Sequence, residues 1–169
     1  MNTDEIRLEI TPADIEEAKR VQQEFDSQKT YNKFNCNTNY IGYLGELVFD
    51  RYLKGKGIDY KWIQFNKQGW NEPDFIINDK KVDLKTTFSD VMWMQDAKHD
   101  IYIYAQINKK QTLLKIKGWM SKTEIDEAKY NNKCKVIVRN TRKDYVFEPL
   151  FMNSVREFLE APKHEGINI

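Results

Sequence analysis

Apolar residues recur along this chain with two different periods, and each change of period marks an element. After Thr11 and Pro12, apolar positions fall at Ile15, Ala18, Val21 and Phe25, three or four apart. That spacing predicts a helix over about 12–27, with Thr11 as N-cap and proline in the first turn. From Tyr40 to Leu53 the run YIGYLGELVFDRYL is apolar nearly all round a helix, the mark of a largely buried one. Period two then takes over. Strands are expected at 60–65, 74–77, 81–87, 101–107, 112–120, 135–139 and 145–148. Ser121-Lys122-Thr123-Glu124 is a capping box opening a short helix that reaches about Tyr130. A last helix is expected at about 150–160. Residues 28–39 and 66–72 read as loops, and 89–99 as a helix or an irregular crossover. Helices mixed with strands predict one α/β domain over 1–169, with no repeat and no long linker.

Two of these strands hold unusual charges for their position. Between 74–77 and 81–87 stand Asn78 and Asp79, residue types that tolerate positive φ and favour two-residue hairpin turns. Such a turn sets Asp74 directly opposite Asp83, on one sheet face, with Cβ atoms roughly 5 Å apart. Lys85, two residues on, shares that face, while Phe75, Val82 and Leu84 take the other. Like charges placed opposite each other destabilise a sheet. A bound cation offsets that repulsion, and all-oxygen ligands suit Mg²⁺ or Mn²⁺.

A third carboxylate lies upstream. On the helical stripe Gly42, Glu46, Phe49, Leu53 the only charge is Glu46. A carboxylate on such a face is costly unless it is paired or holds a metal. Gly42 and Gly45 lower helix propensity, and their expected return is close approach of the helix to a sheet.

An acid on a glycine-containing helix, then Pro73-Asp74, then Asp83-x-Lys85 on the next strand resembles the PD-(D/E)xK nuclease superfamily. The resemblance covers about 40–122. It implies a restriction-endonuclease-like fold, a mixed central β-sheet flanked by helices. It also implies metal-dependent cleavage of nucleic-acid phosphodiester bonds, with DNA, or RNA, as partner. In that reading Asp74 and Asp83 are the principal metal ligands, joined by the backbone carbonyl of Leu84. Glu46 completes the shell through water or holds a second ion. The metal polarises the phosphoryl group and activates water, and Lys85 orients that water and balances charge on the phosphate. Gln106, on a strand expected beside the hairpin, and Thr86 are secondary candidates. Tyr31, Phe34 and Trp70 are candidates for base stacking, and Lys33, Lys109 and Lys110 for the nucleic-acid backbone.

Composition narrows the alternatives. The chain has 169 residues, is 40% hydrophobic, and carries a net charge of only +1. Bulk charge therefore does not announce a nucleic-acid partner, although the later half leans positive. Two cysteines, Cys36 and Cys134, make no disulfide framework, and His99 and His164 lie far apart, which argues against a structural zinc site. No apolar run approaches membrane-spanning length, and the N-terminus is no signal peptide, so the expected setting is the cytoplasm. The weight of Asn, Lys and Ile suggests an AT-rich genome, as of a virus or mobile element. Two other readings stay open: a nucleic-acid-binding module that cleaves nothing, and a protein-interaction domain. Strand preference, sequence specificity and oligomeric state, dimer included, are not set by these patterns.

Overall fold

Strand β6 (Ile101–Ile107) is buried along both faces, and the molecule is arranged around it. The computed structural model describes residues 5–28, 40–64, 72–139 and 142–161. In chain order the other strands are β1 (Ile6–Glu9), β2 (Tyr60–Trp62), β3 (Phe75–Ile77), β4 (Lys80–Thr87), β5 (Met92–Met94), β7 (Leu113–Ser121), β8 (Lys135–Arg139) and β9 (Arg142–Phe147). The helices are α1 (Pro12–Gln28), α2 (Tyr40–Lys56), α3 (Lys122–Tyr130) and α4 (Val155–Glu160). Six strands form one mixed sheet in the order β1-β7-β6-β4-β3-β2, and three form a second, β5-β9-β8. Among the described residues only β4 and β6 run parallel, and every other pair is antiparallel. The chain is thus mixed α/β.

Alternation along β6 sorts the two cores. Ile101, Ile103, Ala105 and Ile107 join residues of α1, α2 and α4, while Tyr102 and Tyr104 join Met92, Met94, Ile125 and Phe147. Helices therefore cover one face of the main sheet, and the small sheet with α3 covers the other. A strand covered on both faces reads as a near-continuous apolar run, which is how Ile-Tyr-Ile-Tyr-Ala reads.

Several elements differ from the sequence expectation. The 89–99 segment is an irregular crossover that includes β5, whose residues pair with β9 rather than with the main sheet. Strand β1 was not foreseen; its four residues extend the far edge of the main sheet by pairing with β7. The last helix is shorter than 150–160: a 3-10 turn spans Pro149–Phe151, and Asn153 then bridges to Trp119 before α4 begins. Proline has no N–H, so Pro149 starts a turn more readily than it continues a strand. The capping box at Ser121 and Glu124 forms as read, each side chain accepting the other's backbone N–H. The helix at α1 also starts as read, with Asp14 completing a reciprocal pair with Thr11. No helix among the described residues is long and apolar enough to cross a membrane.

Candidate functional site

The hairpin turns where the sequence asks it to. Asn78 and Asp79 both take left-handed φ, 50° and 59°, as a two-residue turn of type I′ requires. Phe75 then pairs with Val82, Ile76 with Lys81 and Ile77 with Lys80. Phe75, Ile77, Val82 and Leu84 are buried in the helix-side core. Asp83 and Lys85 lie on the other side, level with Tyr102 and Tyr104 of the parallel strand.

At Asp74 the expected register gives way. The ladder stops at Phe75–Val82, and the Asp74 N–H bonds the Val82 carbonyl at 3.0 Å instead of facing Asp83. Its carboxylate reaches across and accepts the Leu84 N–H at 2.7 Å. A side-chain oxygen thus replaces the strand carbonyl that would otherwise take that donor. The N–H and C=O of one strand residue point the same way. The Leu84 carbonyl is therefore directed to the Asp74 side, past the end of β3.

Glu46 comes from α2. One residue earlier, Gly45 lies so close to β4 that a Cβ there would sit 2.8 Å from Thr86 Cβ and overlap its hydroxyl. Gly42 has open space around it, so of the two glycines only Gly45 sets the approach. Glu46 accepts a hydrogen bond from Trp62 Nε1 at 3.1 Å, and Trp62 stacks on Phe75, 6.1 Å between ring centres. The next turn of the helix offers a contrast. Asp50 is buried too, but Tyr60 donates to it at 2.5 Å and Lys54 at 2.7 Å, an ordinary structural acid.

The charges at the hairpin mouth act on one another. Burial pushes the Glu46 carboxyl up to about 7; the Trp62 N–H opposes the rise and the Asp83 charge adds to it. Burial, then the charges of Glu46 and Asp83, hold Asp74 well above the usual carboxylate range, against the Leu84 N–H and Lys85. Burial alone would lower Lys85, but Asp83 outweighs it and keeps the ammonium charged. Lys85 Nζ lies 2.8 Å from Asp83 Oδ2 and 5.9 Å from the centre of the Tyr102 ring. Glu46, Asp74, Asp83 and Lys85 are therefore one electrostatic unit.

Among the described residues, no group of three or more His, Cys, Asp or Glu side chains is arranged to hold a metal ion. Each acid has a protein donor instead: Trp62 for Glu46, Leu84 N–H for Asp74, Lys85 for Asp83. The donor chemistry fits a hard cation all the same. Carboxyls raised by burial and mutual repulsion regain their charge when a divalent ion sits beside them.

The remaining candidates are placed apart from this unit. Thr86 lies under α2 on the opposite face from Asp83 and Lys85, its hydroxyl buried without a hydrogen-bond partner. Gln106 sits beside Thr87 and donates to Asp90 at 2.6 Å. Lys109 and Lys110 are exposed past the end of β6, roughly 20 Å from the Tyr102 level at 3.3 Å per residue. Tyr31, Lys33, Phe34 and Trp70 lie outside the described residues.

What the sequence reading missed is the cleft beside the unit. It holds about 390 Å³ and is lined by Asp83, Lys85, Trp93, Lys98, His99, Tyr102 and Arg142, among others. Its far wall comes from β5 and β9, elements remote from the motif in sequence, so spacing alone gave no sign of it. No known family, curated protein or solved structure matches this chain.

Proposed function

We propose that this protein is a metal-dependent nuclease that hydrolyses phosphodiester bonds of DNA at the Glu46–Asp74–Asp83–Lys85 unit. One observation carries the reading: two carboxyls held toward neutrality, a third carboxylate and a charged lysine form one electrostatic unit, and two of its members, Asp83 and Lys85, line an open cleft whose walls also carry Lys98 and Arg142 beside Asp96. Such a set has no evident use in stability, since burial and repulsion both weigh against it. The mixed sheet, with Glu46 on a helix packed against β4, is compatible with a restriction-endonuclease-like fold.

Asp74 and Asp83 are the residues to hold Mg²⁺ or Mn²⁺, with Glu46 and the Leu84 carbonyl beside them. When bound, the ion supplies a polarised phosphoryl oxygen and a water of lowered pKa. Lys85 stays protonated, so its part is electrostatic: it faces the charge that builds on the phosphate and steadies Asp83. Lys98 and Arg142 on the cleft walls meet neighbouring phosphates. Trp62 and Leu84 fix the Glu46 and Asp74 carboxylates at one oxygen each, which leaves the other oxygen of each for a ligand.

A second reading has one observation in its favour. Each acid already has a protein donor, as a binding module that cleaves nothing would also arrange. The test is a time course on supercoiled, linear, branched and single-stranded DNA and on RNA, with Mg²⁺ or Mn²⁺, for wild type and Asp83→Asn. Cleavage by wild type alone supports the nuclease. Equal cleavage by both points to a contaminant. No cleavage of any form, with binding retained, puts the binding module in front.

A further inference from the structure

Trp93 stands in the middle of β5, between Met92 and Met94, which are buried in the core shared by the two sheets. Alternation turns Trp93 to the other face, where it pairs with Val146 and stays half-buried. It belongs to neither core, and polar contacts fix its ring instead. The indole N–H donates to Ser89 Oγ at 3.2 Å, and the Arg139 guanidinium lies over the ring, 5.1 Å from its centre. Trp93 lines the cleft of Asp83 and Lys85, and it also lines a second cavity of about 630 Å³ that includes Ile137 and Phe147. A large aromatic side chain is thus held at the boundary of two cavities, one of them containing Asp83 and Lys85.

We propose that Trp93 is a base-stacking platform, and that the DNA held in this cleft is single-stranded, with one unpaired base on the indole. The inference deepens the proposed function and rests on its placing of nucleic acid in the cleft. Size is the first argument. A cleft of about 390 Å³ falls in the class of small-ligand pockets, roughly 300–1,000 Å³, with room for about one nucleotide rather than a duplex. Stacking is the second. A paired base has both faces covered by its neighbours, and enzymes that reach a base take it out of the duplex or act on single strands. Proteins that hold single strands combine aromatic platforms with cations along the backbone. Trp93 supplies the platform here, and Lys98 and Arg142 of the same cleft supply cations, with Asp96 beside them. A ring already fixed by Ser89 and Arg139 loses little freedom when a base settles on it.

The test compares strands with and without bases. Fluorescence anisotropy in chelator, where nothing is cut, reads binding of oligothymidylate, an abasic strand of equal length and a duplex. The proteins are full-length wild type, Trp93→Leu and Trp93→Phe. We expect wild type to bind oligothymidylate about tenfold more tightly than either other probe, the effect of one stacked base. Trp93→Leu should bind oligothymidylate and the abasic strand alike, while Trp93→Phe, which keeps a ring, retains most of the preference. A merely structural Trp93 would weaken all three probes together, and an unchanged ratio in Trp93→Leu overturns the inference. So does tighter binding of the duplex by wild type. Tryptophan emission gives a check that does not depend on the folding of Trp93→Leu. Oligothymidylate should quench part of the wild-type emission, and Trp93→Phe should lose that part although Trp62, Trp70 and Trp119 remain. If wild type cleaves DNA but does not distinguish oligothymidylate from the abasic strand, the inference falls and the nuclease stands. If the Trp93-dependent preference is present and nothing is cleaved, the nuclease falls and the stacking site stands. If no probe binds, in chelator or in Ca²⁺, both fall.

Discussion

A carboxyl held up to about 7 is part protonated at neutral pH, so Glu46 makes the metal-free protein sensitive to pH. The sign follows from linkage. The folded value lies above the ordinary 4.5, so the group's stability contribution is complete below about 4.5 and is lost as pH rises through about 7. At 1.36 kcal/mol per unit the loss is roughly 3 kcal/mol as an upper bound. Asp74 shifts in the same direction and adds to it. In chelator, urea unfolding should therefore show wild type losing stability from pH 5 to 8, and Glu46→Gln losing clearly less. Parallel curves for the two proteins would refute the coupling. The neighbouring acids ask for different substitutions. Asp74→Ala strips the acceptor from the Leu84 N–H, an unmet donor that costs about 1–3 kcal/mol, so it offsets the repulsion it relieves. Asp74→Asn keeps an oxygen there and should fold as well as wild type in a thermal melt, while losing cleavage. Lys85→Ala should also lose cleavage yet keep cation binding by calorimetry, because its proposed role is toward phosphate.

Elements carry those side chains to one place, and the closest fit among them is α2 on β4. Gly45 meets Thr86 with no room for a Cβ, so Gly45→Ala must push the helix off the sheet and move Glu46, the next residue. Overpacking of this kind typically costs 1–3 kcal/mol. Gly42 faces open space, and Gly42→Ala should stabilise by up to about 1 kcal/mol through helix propensity. Denaturant midpoints for the pair give the test: two changes of the same sign would mean that the contact with β4 does not set the fit. Thr86→Val, which removes a buried unpartnered hydroxyl at constant shape, should be neutral or stabilising. The helix itself and its one conspicuous acid were legible from the apolar stripe, and so was the hairpin, because Asn78-Asp79 fixes both turn and register. Which glycine touched the sheet was not legible, since helical period alone cannot say what lies opposite. The Asp74 departure was hidden for a similar reason: alternation assigns faces, but it cannot foresee a carboxylate taking the place of a strand carbonyl. Strand β1 was too short, and too evenly split between apolar and charged residues, to stand out before its partner β7 was known.

At the scale of the molecule, the two sheets make what neither does alone. The motif lies on the main sheet, while Trp93 and Arg142 come from β5 and β9, so the cleft exists only after the crossover folds back. Sequence spacing carries no trace of that closure, which is why His99 and Lys98 went unremarked as site residues. The closure also bears on how a chain of net charge +1 would hold the polyanion that the proposed function requires. On the proposed nuclease reading, Lys98 and Arg142 of the cleft walls attract phosphates, while Asp83 in the cleft and the acids coupled to it repel them as long as no cation is present. A divalent ion should remove that repulsion. Ca²⁺ is the useful probe, because it binds carboxylates yet is a poor substitute in Mg²⁺ chemistry, so affinity can be read without cleavage. We expect Ca²⁺ to tighten binding of a short DNA by about tenfold, or ~1.4 kcal/mol, in fluorescence anisotropy at fixed ionic strength. In an Asp74→Asn, Asp83→Asn double variant the Ca²⁺ effect should vanish, and binding without Ca²⁺ should exceed that of wild type. Lys98→Gln should weaken binding with and without Ca²⁺ and reduce the salt slope by about one, as loss of a single phosphate contact requires. If Ca²⁺ leaves wild-type affinity unchanged, the acids do not face the phosphates, and the cleft is not where the nucleic acid lies.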